Sequence, residues 1–585
     1  MIRVFKKLWG LFDDREKRSF IFIMCGMIFA TILELVSIGA LIPFLSVLAD
    51  PDVIFQYAIL NKMYAFLGLE NASDFLLFLG ILASIVLVIL AVFKAAFNYQ
   101  KYKFTNINRH NFALRLMKQY LAQPYSFFLT ENSNTLSKNV LSEVDQLIDR
   151  ALLPILQIIS HGFLIIMIIV FLVFLNPMIP IILVSFLGTC YLLFYNTFKR
   201  KISRISDERY TANEKRFKAV NELFGGIKEF KAFGKDQDFL PKFTSASLIF
   251  SDNRTLYDTL SEVPKSIIET VGFLVILTVC FILLYQGADM KELIPTIGLF
   301  TFAAYKLLPA MQQIYFGVIQ FRFGYASIQN TLNNLYAVPP SQPGPIPSNT
   351  KHSEKLFSSS LKFKAVSFIY PESDIPSLQD ISFDIKSGER LAIVGQTGAG
   401  KSTLVDLILG LITPSSGKIV VDDTIITPLN SSKWQKQIGY VPQQTFLLDD
   451  TIARNIALDN CSEEEHIDAD KIIEVAKKAQ IHDFIMTLPD QYETSIGERG
   501  IRLSGGQRQR ISIARALYRE PDILLFDEAT SSLDVKTEKE VLDAIDNLST
   551  EKTIVMITHR PNTLSYFDKL LKIQDGQIVS FEQNK

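Results

Sequence analysis

Six apolar blocks in the first 336 residues constrain this chain more than any other feature. They fall near residues 20–48, 75–97, 151–175, 178–198, 266–285 and 293–318. Each is long enough to cross a ~30 Å hydrocarbon core, which takes about 20 helical residues. In lipid every backbone N–H and C=O needs a partner inside its own segment, so blocks of this length fold as helices. The third and fourth blocks are parted only by Asn176–Pro177, a turn signal. Basic residues crowd the arm before block one (Arg3, Lys6, Lys7, Arg15, Lys17, Arg18), the stretch after block two (Lys101, Lys103, Arg109, Arg115, Lys118) and the stretch after block four (Lys199, Arg200, Lys201, Arg204, Arg209). The opposite loops are nearly free of them, which puts both termini on the cytoplasmic side.

The opening "MIRVFKKLWGLFDDREKRSF" carries charge as far as Arg18 and leads into a run too long for a cleavable signal. It is predicted to be an amphipathic elbow lying on the membrane surface. Residues 98–150 and 199–265 are polar yet keep apolar residues at helical spacing, as at Phe217, Val220, Leu223 and Phe224. They are predicted to be helices continuing out of the membrane. In the first outer loop Ile54, Tyr57, Leu60, Met63 and Phe66 recur at three- and four-residue steps, which predicts one apolar face of a short helix, either lying on the outer surface or packed against the ends of the spans.

"AVPPSQPGPIPSNTKHSEK", residues 337–355, reads as an extended linker. Beyond it, residues 356–585 alternate strand and helix patterns, the signature of an α/β domain. The expected organisation is therefore an all-α six-helix transmembrane domain (1–336), the linker and an α/β P-loop domain. A net charge of -1 argues against a nucleic-acid partner. The four cysteines include no CxxC pair, so neither a disulfide framework nor a zinc site is indicated.

"RLAIVGQTGAGKSTLVDLILGL" joins a strand, a glycine loop and a helix. Gly395, Gln396, Thr397, Gly398, Ala399 and Gly400 form a P-loop closed by Lys401, Ser402 and Thr403. Its backbone N–H groups suit phosphates, Lys401 suits the β- and γ-phosphates of ATP, and Ser402 suits Mg2+. "PDILLFDEATSSLD" is an apolar strand that ends in two acids. Asp527 is placed for Mg2+ and Glu528 to polarise the attacking water as general base. "LSGGQRQR" is a second glycine-rich helix start without a lysine. One nucleotide does not need two cradles on one domain, so this cradle points to a dimer in which it closes over the partner's nucleotide.

With these motifs in this order, the chain resembles the ATP-binding cassette family. The resemblance implies that Tyr370 in "VSFIYPE" stacks on adenine and that Gln443 in "IGYVPQQ" is the Q-loop glutamine, which senses Mg2+. It also implies that Ser504, Gly505, Gly506 and Gln507 are the signature, that Asp534 belongs to the D-loop, and that His559 in "VMITHR" is the switch histidine. "TSIGERG" resembles the X-loop of exporters. Six spans followed by one cassette resemble a half-transporter of the type I exporter fold. That implies a homodimer with two competent ATP sites, a multi-pass protein of the bacterial inner membrane, and coupling helices near 132–138 and 221–228.

The cargo turns on Lys306, set in the sixth block within "TFAAYKLLPAMQ". A cation near a helix centre costs ~2.5–3.5 kcal/mol on insertion scales, so it faces a partner, a cavity or a substrate path. Glu34, Lys94, His161 and Glu269 are the other polar residues of the spans singled out with it. Either Lys306 pairs with Glu34 or Glu269 structurally, or it meets substrate in a cavity shared with Lys94 and Glu34. "ILELVSIGALIPFLSVLAD", the outer loop and "AAYKLLPAMQQI" resemble bacterial flippases for lipid-linked oligosaccharides of the PglK type. That resemblance implies a polyprenyl-pyrophosphate glycan or related anionic glycolipid as cargo. The competing readings are an exporter of drugs, lipids or peptides and a non-transporting membrane ATPase that regulates a partner.

Overall fold

The computed structural model describes residues 1–585 except 70, 176–177, 236, 286–289, 338–354, 372, 459–466, 498–499, 530–537, 540–551, 559 and 585, with only the backbone described for some residues of the membrane helices. The chain forms two compact units. The first comprises residues 1–121 and 131–341, and the second comprises 122–130 and 342–585.

The first unit is helical. Among the described residues, three helical segments are long and apolar enough to cross a membrane: Asp14–Ala49, Ala72–Leu121 and Ser133–Phe174. The first of these is two helices, Asp14–Gly39 and Leu41–Ala49. Pro43 sits in the first turn of the second, where its missing N–H costs least. Ala72–Leu121, Met178–Gly225 and Leu240–Tyr285 are unbroken helices of 50, 48 and 46 residues. At 1.5 Å per residue each is about twice as long as a bilayer core needs. The helix Leu153–Leu175 is preceded by two wide π turns, Asn139–Glu143 and Ile148–Leu152. Buried side chains cluster around these turns. Lys138 pairs with Glu143 at 3.4 Å, and Arg150 donates to the Tyr257 hydroxyl at 2.7 Å.

Three details depart from the sequence reading. The N-terminal helix Ile2–Leu11 does not offer its apolar face to lipid. Val4, Leu8 and Leu11 are buried in protein, as is Phe12 just beyond the helix. Phe12 stacks on Phe112, Trp9 meets Phe20 edge-on, and Tyr336 donates to the Lys7 carbonyl at 2.6 Å. An aromatic face rich in ring partners is satisfied by neighbouring helices before a membrane is needed. The outer stripe also splits. The chain breaks at Tyr57, between the helices Val53–Gln56 and Ala58–Leu67. Ile54, Leu60 and Met63 then pack with Val47, Phe75 and Leu79, while Tyr57 and Phe66 are 62% and 91% exposed. Finally, the segment that groups with the second unit is 122–130, which carries the helix Tyr125–Thr130. Residues 132–138, expected as a coupling helix, belong to the first unit, where Lys138 is held in its buried pair.

The second unit carries two sheets. Strands β1 (Ser360–Phe368), β2 (Leu378–Lys386), β4 (Ser416–Val421) and β5 (Thr424–Ile425) form an antiparallel sheet in the order β2-β1-β4-β5. Strands β3 (Arg390–Gly395), β6 (Ile438–Val441), β7 (Ile523–Asp527), β8 (Thr553–Ile557), β9 (Lys569–Gln574) and β10 (Gln577–Gln583) form the other, ordered β10-β9-β3-β8-β7-β6. It is parallel except for the edge strand β10. Strands covered on both faces read as continuous apolar runs, and β7 and β8 are such runs, buried almost throughout.

Candidate active site

The parallel sheet delivers its chemistry at one edge. Strand β3 runs into the P-loop, and the helix Lys401–Ile408 leaves it. Gly395 is fixed by close approach, because a Cβ there would lie 2.4 Å from the Ile573 carbonyl of β9. Gly400 caps the helix at φ 99°, and its Cβ would meet the Ser377 carbonyl at 2.7 Å. Lys401 donates to the carbonyls of Gly395 and Gln396 at 2.9 and 3.0 Å. Burial lowers the ammonium pKa, opposed by the charges of Glu528 and Asp527.

Strand β8 lies between β3 and β7, so β7 brings Asp527 to the same edge one strand away from the P-loop. Burial and then the Glu528 charge raise the Asp527 pKa. Burial, with Asp527 adding to it, pushes Asp406 up to about 6. Glu528 stands at φ 48°, a left-handed backbone that costs a non-glycine residue of order 1–3 kcal/mol. Its N–H donates to the Ile557 carbonyl at 3.2 Å, and its carboxylate accepts from Gln443 Nε2 at 2.8 Å. Thr397, Gly398, Gly400, Lys401, Ser402, Thr403, Gln443, Asp527 and Glu528 converge on one cleft of about 830 Å³. The oxygens of Ser402, Gln443 and Asp527 are the hard donors that Mg2+ prefers.

Other candidate residues lie elsewhere. Tyr370 does not line the cleft; its hydroxyl shares a 3.2 Å hydrogen bond with Thr403 Oγ1, and its ring meets Phe368 edge-on. Ser504 and Gln507 form a capping box at the start of the helix Gly505–Tyr518, each accepting from the other's backbone N–H. These two and the intervening Gly505 and Gly506 are absent from the cleft lining. Asp534 and His559 lie outside the described residues, as do Glu498 and Arg499 of the X-loop. Sequence reasoning missed Ser377, Asp575 and Gly576 in the cleft wall. The Asp-Gly pair between β9 and β10 is a turn signal that marks one of these positions.

The first unit holds a second chemical locus. Glu34 is buried and shared by two cations: Lys94 Nζ is 2.7 Å from one carboxylate oxygen, and Lys306 Nζ is 3.4 Å from the other. Glu269 is exposed and is not the partner of this pair. Glu34, Lys94, Lys101, Gln157, Ser160, His161 and Gln313 line a cavity of about 390 Å³. Gln157 Oε1 and His161 Nδ1 are buried there without a hydrogen-bond partner. Gln157 escaped the sequence reading, and Lys101 entered it only as a charge that sets orientation. Gln157 lies one helical turn before His161 in a block otherwise rich in Ile and Leu, a spacing that flags a polar face.

A family profile described as "ABC transporter" matches residues 378–531, and one described as "ABC transporter transmembrane region" matches residues 19–305. The ATP-dependent lipid A-core flippase of Saccharophagus degradans is 32% identical over 477 residues, 81% of this chain and 78% of that protein. The uncharacterized ABC transporter ATP-binding protein YfiB of Bacillus subtilis is 45% identical over 219 residues, 37% of each chain. A putative multidrug export ATP-binding/permease protein of Staphylococcus aureus is 42% identical over 214 residues, 37% of this chain and 36% of that one. Among solved structures, that of a bacterial Atm1-family ABC exporter with ATP bound aligns with a TM-score of 0.77 at 21% identity, covering 98% of this chain and 96% of the other.

Proposed function

The chain belongs to the ABC transporters, with a type I exporter fold that joins a transmembrane region to an ATP-hydrolysing cassette, and from that premise we propose that it flips an anionic glycolipid out of the cytoplasmic leaflet. The preferred cargo is a polyprenyl-pyrophosphate oligosaccharide or a close chemical relative. One observation carries this reading: Lys94 and Lys306 both pair with the single carboxylate of Glu34 among the spans, and Lys101 lines the cavity that Glu34 and Lys94 share. An excess of ammonium groups in a low-dielectric setting attracts a diphosphate and repels a cationic drug. The similarity, over 81% of this chain, to a protein named as an ATP-dependent lipid A-core flippase supports a lipid cargo.

In this reading the P-loop amides and Lys401 hold the phosphates of ATP, Glu528 polarises the attacking water, and Gln443 orients Glu528 through their 2.8 Å hydrogen bond. Ser402, Gln443 and Asp527 would hold Mg2+, which when bound offsets the charge developing on the transferred phosphoryl group. His559 contacts the γ-phosphate. Tyr370 reaches adenine after releasing Thr403. Two copies of the chain assemble, so that Ser504, Gly505, Gly506 and Gln507 of each close over the partner's nucleotide, with Asp534 at the same seam. The dimer works in the inner membrane with its termini in the cytoplasm, and nucleotide-driven closure biases the spans between two arrangements.

The test is ATP hydrolysis by the purified chain in lipid vesicles, with and without a polyprenyl-pyrophosphate oligosaccharide. The expected result is stimulation of the wild type and its loss in Lys306→Ala. Stimulation of both proteins by neutral lipids or hydrophobic drugs, with no response to the glycolipid, would replace this reading with a general exporter.

A further inference from the structure

We infer that Glu34 is a built-in stand-in for the substrate's phosphate, a displaceable counter-anion that holds Lys94 and Lys306 until the cargo's own anion takes its place. The inference rests on the anionic-glycolipid reading and adds how the site is kept closed and how it is released.

The geometry is that of one anion bridging two cations. The two Glu34 oxygens face different lysines on different helices, at 2.7 and 3.4 Å. Glu34 belongs to the helix Asp14–Gly39, Lys94 to Ala72–Leu121 and Lys306 to Met290–Phe323. One carboxylate therefore ties three spans together. A phosphodiester or diphosphate presents the same motif, charged oxygens directed at more than one ammonium.

Charge and polar satisfaction show that the tie is incomplete. Lys101 lines the same cavity, which adds a third cation to the two that pair with Glu34. An excess of half-buried cations beside one carboxylate favours a further anion. Gln157 and His161 line the same cavity, and Gln157 Oε1 and His161 Nδ1 are buried with no hydrogen-bond partner among the described residues. Buried polar atoms without partners are uncommon in native proteins, and each calls for an explanation. A hydroxylated head group answers both, because it can donate to Gln157 and bond His161 while its phosphates meet the lysines. A pair that served only to neutralise Lys306 would need neither Lys101 nor a polar cavity beside it.

Displacement has a thermodynamic signature. Removing the internal competitor strengthens binding of the external anion, whereas removing a cation weakens it. Glu34→Gln is therefore expected to lower the concentration of polyprenyl-pyrophosphate oligosaccharide that half-maximally stimulates ATP hydrolysis by about tenfold. Lys94→Met is expected to raise it by about tenfold. A purely structural pair predicts the same sign for both, since either change breaks the same contact.

The experiment uses the full chain in vesicles, titrated with the glycolipid, with Glu34→Asp as the conservative variant expected to stay near wild type. Should Glu34→Gln fail to accumulate in the membrane, the double variant Glu34→Gln/Lys94→Gln removes one charge of each sign and leaves the cavity's net charge unchanged. It is expected to bind the glycolipid at least as tightly as wild type. A half-maximal concentration that is unmoved or raised in Glu34→Gln, or raised in the double variant, overturns the inference while the cargo reading stands. A wild type unresponsive to the glycolipid overturns the cargo reading itself, and the inference with it.

Discussion

In the proposed function the nucleotide cleft and the membrane cavity both face anions, but they are built from different parts. In the cleft the groups proposed to hold phosphate are backbone amides on a loop pinned between β3 and a helix, where a Cβ at Gly395 or Gly400 would strike a backbone carbonyl. In the cavity the groups are long side chains on separate helices, gathered by a carboxylate that belongs to the protein. The first arrangement is fixed by covalent continuity and fits one ligand class closely. The second is held by exchangeable ion pairs and can admit a varied head group. An ATPase shared across many cargoes needs the former, and a cargo site needs the latter.

The comparison is broken most directly at Glu528. If the cleft is a preorganised machine, Glu528→Gln keeps the cradle and loses the base. Steady-state hydrolysis should fall by about 10²–10⁴-fold while ATP still binds, as read by phosphate release and by nucleotide retention on the purified chain. Activity within tenfold of wild type would mean that the water is activated elsewhere. Gly400→Ala probes the cradle itself. Forcing a side chain to φ 99° and against the Ser377 carbonyl costs of order 1–3 kcal/mol of strain, so ATP affinity should weaken about 5- to 150-fold. Unchanged affinity would show that the loop tolerates rearrangement and is no more rigid than the cavity.

The cavity should answer an equivalent change with the opposite sign. Gln157 carries a buried oxygen with no partner among the described residues, a cost that a bound head group would relieve. Gln157→Leu removes that cost and should stabilise the detergent-solubilised chain by about 1–3 kcal/mol, visible as a rise in the thermal midpoint, while weakening stimulation by the glycolipid. A loss of stability would mean that Gln157 is satisfied in the membrane and that the cavity is a packing feature.

The two regions also differ in how much the sequence discloses. Phosphate recognition is local: Gly395 to Thr403 are contiguous, and β7 announces its acids by ending in Asp527–Glu528, so the cleft could be read before any coordinates. The cavity draws on residues near 34, 94, 157 and 306, far apart along the chain, and periodicity alone does not say which faces meet. The Lys306–Glu34 pair stood as one of two alternatives with Glu269, and the structure chooses it and adds Lys94. The N-terminal helix shows the other limit. Its amphipathic pattern reports an apolar face but not whether lipid or protein covers it, and Phe112 and Tyr336 turn out to supply the cover. At Tyr57 a single extended residue between two short helices cancelled a stripe that an unbroken helix would have kept.

The smallest expected effect tests whether the cleft, too, carries an electrostatic burden. Asp406 sits on the helix that leaves the P-loop, half-buried near Asp527, and its pKa rises from 3.8 to about 6. The folded protein therefore holds this proton more tightly than the unfolded chain does. As pH climbs from about 4 through 6 the native state must accept an unfavourable charge, and stability falls across that window and stays lowered above it. Asparagine has no such charge. Asp406→Asn should thus be more stable than wild type at pH 7.5, and the advantage should shrink as pH drops through 6 and vanish near 4. Because the carboxyl is only partly buried, solvent screening reduces the effect to about 1 kcal/mol. Thermal unfolding of the two proteins at pH 4.5, 6 and 7.5 measures it. A difference that does not vary with pH would assign Asp406 a packing or hydrogen-bonding role, leaving the charged burden to the membrane cavity alone.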